Sequence, residues 1–209
     1  MTARRLYLLS VASAAVVGIC LGVLLHGRLA ARSADALALP ALHGEATWGA
    51  GVRPAPPVAL RDQWGRRVSL ARLRGRAATL LFMDSLCREA CPVEGRLLAA
   101  AIRPLAPRAR PHVVVVSVDP AGDTPASIGK AIRKWGLPAS TEWLRGTRAQ
   151  LARVWRAYDI TVDPRSSDVV HSTAVYVLDA HGDERAGFVL PFLPGLVRAD
   201  LRALADGAA

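Results

Sequence analysis

Leu80-Leu-Phe-Met-Asp-Ser-Leu-Cys-Arg-Glu-Ala-Cys-Pro92 is the stretch on which the reading of this chain turns. The apolar run Ala77 to Met83 reads as a buried central strand. It delivers two thiols, Cys87 and Cys91, to the place where a strand gives way to a helix. Pro92 fits the first turn of that helix, where its missing N–H costs nothing. Glu94 and the stretch Gly95 to Ile102 read as the helix body. Thiols at a helix N-terminus feel the positive end of the dipole. That lowers their pKa and favours the reactive thiolate.

The chain has 209 residues and a formal net charge of +10, and 52% of it is hydrophobic. That length suits one ordinary domain plus an appendage. The basic excess is almost all arginine, with Lys130 and Lys134 the only lysines. No dense arginine run with interleaved aromatics appears, so a nucleic-acid partner is not expected. Three cysteines are too few for a disulfide-stapled mini-domain. Two of the three sit together, which favours a metal or redox role.

Working outward, Leu6 to Leu25 carries no charge and is long enough to cross a bilayer as a helix. Arg4 and Arg5 precede it, so the N-terminus is expected in the cytoplasm. A cleaved signal peptide with Ala34-Asp-Ala36 as its small-residue site is the rival reading. Residues 1–29 are therefore read as a membrane anchor. Residues 30–57, rich in Ala, Gly and Pro, are read as a flexible linker. The folded domain is expected over 58–209.

Within it, Val58 to Leu60 and Arg67 to Leu70 suggest a hairpin around Asp62-Gln-Trp-Gly65. His112 to Val118 is a second buried strand, rich in β-branched residues. Thr124 or Asp123 caps a helix that opens on Pro125 and runs to Trp135. Thr147 and Gln150 have capping-box spacing for a helix ending near Tyr158. Thr173 to Leu178 and Ala186 to Leu190 are further strands, and Leu196 to Leu204 is a last amphipathic helix. This order predicts a mixed α/β sheet with helices on both faces.

Cys87-x-x-x-Cys91 puts two sulfurs within reach of one ion. Soft thiolates select Cu(I) or zinc, and imidazole suits either metal. His171 lies directly before the Thr173 strand, whose mouth could face the pair. Two thiolates and one imidazole make a three-coordinate site acceptable to Cu(I); structural zinc would want a fourth protein ligand. The residues alone leave other readings open. The thiols could be small buried apolar groups, and His171 could be hydrogen-bonded in a loop, as His26, His43, His112 and His181 are read to be. Asp119 could support the ligands from behind or serve as a turn carboxylate. Cys20 is read as an apolar residue facing lipid.

Four segments together resemble the Sco (SenC/PrrC-type) copper proteins. They are Phe82-Met-Asp-Ser-Leu-Cys-Arg-Glu-Ala-Cys-Pro92; Val116-Ser-Val-Asp-Pro120 with Asp123-Thr-Pro125; Leu144-Arg-Gly-Thr147; and Val170-His-Ser172 running into Tyr176-Val-Leu-Asp179 and Gly182. The resemblance implies a thioredoxin-like fold with an N-terminal β-hairpin extension, preceded by one transmembrane helix. It implies copper, as Cu(I) or Cu(II), held at Cys87, Cys91 and His171, with the two cysteines able to form a redox disulfide. It implies a metallochaperone more than an enzyme, which delivers copper to cytochrome c oxidase subunit II or reduces that subunit's cysteines. Such a protein would sit in the bacterial inner membrane with its domain in the periplasm, served there by a copper donor or thiol reductant. The rival is a metal-free thiol–disulfide oxidoreductase. Arg88, Glu89 and Val170 stand where the family usually has Pro, Asp and Asp.

Overall fold

The structure, a computed structural model, describes residues 42–163 and 169–207, together with Gly22. The strands are β1 (Ala46–Thr47), β2 (Ala59–Arg61), β3 (Arg67–Ser69), β4 (Ala78–Met83), β5 (His112–Ser117), β6 (Glu142–Leu144), β7 (Val162–Asp163), β8 (Val170–His171), β9 (Ala174–Leu178) and β10 (Glu184–Val189). The helices are α1 (Ala90–Ile102), α2 (Pro125–Trp135), α3 (Arg148–Ala157) and α4 (Pro194–Ala205).

The main sheet has the order β1-β10-β9-β4-β5-β6. β4 sits inside it, parallel to β5 and antiparallel to β9. All six of its residues are buried. Side chains alternate across a strand, so β4 feeds two cores. Leu81 and Met83 point to one face, where they meet Leu98 and Ile102 of α1, Ile128 and Trp135 of α2, and Val197 and Leu201 of α4. Leu80 and Phe82 point to the other, against Leu151 and Trp155 of α3 and against Leu60 and Val68 of the β2–β3 hairpin. Each such side chain contributes about 1.5–3 kcal/mol by leaving water. Truncating the fully buried Phe82 to Ala removes contacts to both Tyr158 and Tyr176 and costs about 3–5 kcal/mol.

Local chemistry sets the element ends. The hairpin turns where Asp62 Oδ1 accepts from the N–H groups of Trp64 and Arg66, both at 2.9 Å. Gly65 takes the positive φ of 83° that this turn requires. Thr124 caps α2 in a capping box with Ser127, and Thr147 caps α3 in one with Gln150. The cap of α2 is therefore Thr124, which frees Asp123 to turn inward.

One expectation is corrected. Residues 42–57 fell within the expected linker, but they pack onto the domain: β1 pairs with β10, and Ala55 N–H donates to the Gly182 carbonyl at 3.0 Å. A two-residue strand in an Ala/Gly/Pro stretch carries no periodicity, so its sequence gave no sign of it. β6 was likewise unforeseen, being three residues long. Among the described residues no helix is long and apolar enough to cross a membrane. The expected anchor lies outside them apart from Gly22, as do residues 30–41 and Asp168.

Candidate metal centre

β4 ends at Met83, and the chain must turn from the sheet edge into α1 across residues 84–89. A buried carboxylate fixes that turn. Asp123 Oδ1 accepts from Ser85 N–H at 2.8 Å, and its Oδ2 accepts from the Trp143 indole N–H at 3.0 Å. Ser85 Oγ also donates to Ser127 Oγ at 2.8 Å. The turn is thus tied to the start of α2 and to β6. Burial pushes the Asp123 pKa up to about 6 against these hydrogen bonds, which pull it down. Asp84 adds an Asx-type contact, its Oδ1 accepting from Leu86 N–H at 2.7 Å.

This turn presents Cys87 half-buried, while Cys91 in the first turn of α1 is wholly buried. The Cys91 N–H donates to Cys87 Sγ at 3.4 Å. The Cys91 thiol donates to the same sulfur and is the main cause that brings the Cys87 pKa down to about 6. Burial opposes the fall, while the backbone N–H groups of Cys91 and Glu89 add to it. Cys91 moves strongly upward, because it holds the proton it donates and lies buried. The pair is therefore asymmetric, with an outer sulfur disposed to be thiolate and an inner one disposed to be thiol.

His171, in β8, reaches the inner sulfur. Its Nε2 lies 3.4 Å from Cys91 Sγ. Its Nδ1 lies 2.9 Å from the Ser172 carbonyl oxygen, which can only accept, so Nδ1 carries the ring proton. That leaves Nε2 as a bare lone pair facing Cys91. Burial pushes the His171 pKa down, which keeps the ring neutral. The Cys91 proton accordingly has two acceptors, Cys87 Sγ and His171 Nε2.

All three sequence-expected residues thus come together, but pairwise. Among the described residues no group of three or more His, Cys, Asp and Glu side chains forms a closed metal site. The donor chemistry still fits copper: two sulfurs, one tautomer-fixed imidazole, and a carbonyl behind the ring that orients it. Asp119 does not join them; its Oδ1 accepts from Ala121 N–H at 3.1 Å within its own turn. The other described histidines serve elsewhere. His43 Nδ1 pairs with buried Asp200 at 2.6 Å, His112 has its ring nitrogens 3.3 and 3.4 Å from Arg76 Nη2, and His181 lies in the Asp179 turn.

Three features escaped the sequence reading. One is the Asp123–Ser85–Trp143 tie. Another is Glu94, fully buried with neither carboxylate oxygen hydrogen-bonded, whose pKa burial raises to about 8. The third is a groove of about 490 Å³ beside Cys87, lined in part by Leu86, Arg88, Lys130 and Lys134. Leu86 and Val170, each next to an expected ligand, are 54% and 63% exposed, so the rim of the centre carries two apolar side chains beside the exposed Arg88 and Glu89.

A mixed sheet with a dithiol at the turn into its first helix, and a histidine brought up from the far side, defines a thioredoxin-like protein with a cysteine–histidine centre. The chain belongs to the SCO1/SenC family, whose sequence pattern matches residues 53–202. It is 32% identical over 128 residues to "Protein SCO1 homolog 1, mitochondrial" of Arabidopsis thaliana, a match that covers 57% of this chain and 37% of that protein. The chain thus spans little more than a third of that relative's length. Among solved structures it resembles Bradyrhizobium japonicum ScoI with copper bound, with a TM-score of 0.60 and 24% identity, over 72% of this chain and 99% of that one. It also resembles BsSco, described as a Sco-family cytochrome c oxidase assembly protein with a disulfide switch, with a TM-score of 0.62 and 19% identity, over 74% of this chain and 94% of that one.

Proposed function

We propose that this protein binds copper through Cys87, Cys91 and His171 and serves the assembly of the copper centre of cytochrome c oxidase. Residues 1–29 anchor it in the bacterial inner membrane, and its thioredoxin-like domain faces the periplasm. The observation that carries the reading is the His171 ring, held by the Ser172 carbonyl with its bare Nε2 3.4 Å from Cys91 Sγ. A histidine needed only for packing has no reason to direct a lone pair at a thiol. Family membership and the copper-bound relative support the same metal.

Copper is cargo here. Two thiolates and one imidazole hold Cu(I) firmly enough to carry and leave room for an acceptor's thiolate to join. Binding releases the Cys91 proton, since ligands must be deprotonated. The half-exposed Cys87 is the donor best placed to meet an acceptor first. The exposed side chains of Leu86 and Val170 give that acceptor apolar contacts at the rim.

A second reading is thiol reduction, favoured by the asymmetry of the pair. The Cys87 thiolate attacks an acceptor disulfide, forming a mixed disulfide and releasing one thiolate. Cys91, giving its proton to His171 Nε2 at 3.4 Å, then attacks Cys87 and displaces the second, so two electrons pass to the acceptor and a Cys87–Cys91 disulfide remains. The test is Cu(I) stoichiometry of the reduced full chain against a competing chelator. Wild type should take up about one Cu(I) per chain. Cys87→Ser, Cys91→Ser and His171→Ala should each weaken it, and His112→Ala and His181→Ala should not. Loss at His181 equal to loss at His171 would contradict the ligand assignment.

A further inference from the structure

Three arginines stand in one row across the hairpin. Arg61 is directly opposite Arg67 in the β2–β3 ladder. On its other side Arg61 is bridged to Arg145, with backbone N–O distances of 3.2 and 2.6 Å. Directly opposed residues share a face, with side chains about 5 Å apart, and like charges so placed repel. Arg72 joins them from the short turn Leu70–Leu73, and all four line one cavity of about 480 Å³ with Ser69 and Gln150. That volume is within the ~300–1,000 Å³ usual for small-molecule sites.

Among the described residues none of the four arginines forms an ion pair. Glu142 lies within electrostatic reach of Arg72 but does not bridge to it. The Arg145 Nε is buried with no hydrogen-bond partner. Arg61 donates to the Gly65 carbonyl at 2.6 Å, and Arg72 donates to the Arg67 carbonyl, which steadies two of the guanidinium groups. Gln150 Oε1 accepts from Thr147 N–H at 2.8 Å, leaving its NH₂ as a donor. The floor stays open at Gly146, where a Cβ would come within 3.0 Å of both Gln150 Oε1 and Leu60 Cδ2. The N-terminal turn of α3 borders the same cavity and adds its positive dipole end.

We infer that this pocket binds a multivalent oxyanion of the phosphate type. Planar guanidinium groups match tetrahedral oxyanions in bidentate fashion, and the bound charge relieves the repulsion along the row. The site lies with the hairpin, on the face of the sheet opposite α1, so it is separate from the cysteine–histidine centre. The same chemistry is offered by a free di- or polyphosphate and by a phospholipid headgroup.

The full chain, reconstituted in phosphatidylcholine vesicles, is titrated calorimetrically with inorganic pyrophosphate and, separately, with dihexanoyl phosphatidic acid, whose headgroup is a phosphomonoester. Saturable binding of pyrophosphate alone identifies a free anion; binding of the lipid identifies a headgroup. In either case Arg61→Gln and Arg145→Gln each weaken binding by roughly tenfold or more. Arg153→Gln, an exposed arginine on α3 outside the pocket, leaves it unchanged. A chain that binds neither probe, or whose Arg61→Gln variant binds as tightly as wild type, overturns the inference.

Discussion

His171 Nε2 and Cys91 Sγ meet at 3.4 Å although 80 residues separate them in the chain. The meeting is built from both sides. β4 and Pro92 place Cys91 at the start of α1, and β8 with the Ser172 carbonyl fixes the imidazole. Neither group is free to turn away cheaply, since Cys91 is wholly buried and the ring is hydrogen-bonded at its far nitrogen.

The outer sulfur should titrate first. In the reduced, metal-free chain, alkylation of Cys87 by iodoacetamide should rise with pH through a midpoint near 6. The largest cause is the hydrogen bond from the Cys91 thiol, so Cys91→Ala should move that midpoint upward toward the ordinary thiol range. Rate-against-pH profiles of the two chains check this. An unmoved midpoint would assign the low value to some other group.

Glu94 should make stability fall with rising pH. Its folded pKa, about 8, lies above the ordinary glutamate value of 4.5 that holds in the unfolded chain. Between those values the folded chain keeps a proton that the unfolded chain has lost, so raising the pH favours unfolding. Above about 8 this contribution is exhausted. Glu94→Gln should therefore be more stable than wild type at pH 8, by an amount of the order of a few kcal/mol, with the two converging near pH 4.5. Urea denaturation at a series of pH values measures it; parallel curves would show that Glu94 is ionised in the fold.

Asp123→Ala should loosen the Cys87 turn. It strands two buried donors, Ser85 N–H and the Trp143 indole, at a cost of about 2–4 kcal/mol. Asp123→Asn, which keeps an acceptor oxygen, should cost less. Urea midpoints give the stabilities, and faster Cys87 alkylation in the Ala variant would show that the turn itself is affected.

How much of this the sequence made legible depends on how local each signal was. β4 was readable because its apolar run is continuous, and α3 because Thr147 and Gln150 lie within one turn. His171 could be placed at a strand mouth, but not opposite Cys91, since strand order is a long-range property. Asp123 read as one of two candidate caps beside Thr124, because both types cap a helix that opens on proline. Its real partners are Ser85 and Trp143, 38 and 20 residues away. Glu94 read only as part of the helix body, and its burial was not legible because a lone buried glutamate is rare. The row Arg67–Arg61–Arg145 was invisible, because one of its two pairings joins segments that no local pattern connects.

The proposed topology has its own consequence. With residues 1–29 as an uncleaved anchor, the full chain should stay with membranes in high salt. A C-terminal reporter active only in the periplasm should be active. Release by salt, or a silent reporter, would remove the periplasmic assignment.

The central claim is that the two thiolates and the His171 imidazole form one copper site. A disulfide offers no thiolate, so copper and the Cys87–Cys91 bond compete for the same sulfurs. The most direct measurement is a Cu(I) titration of the full chain, reduced and oxidised, with free thiols trapped and counted by mass spectrometry. The reduced chain should bind about one Cu(I), with both cysteines then protected from alkylation, and binding should weaken at low pH as protons compete for the ligands. The oxidised chain should bind none until it is reduced. Equal copper uptake by the oxidised chain would show that Cys87 and Cys91 are not the metal site.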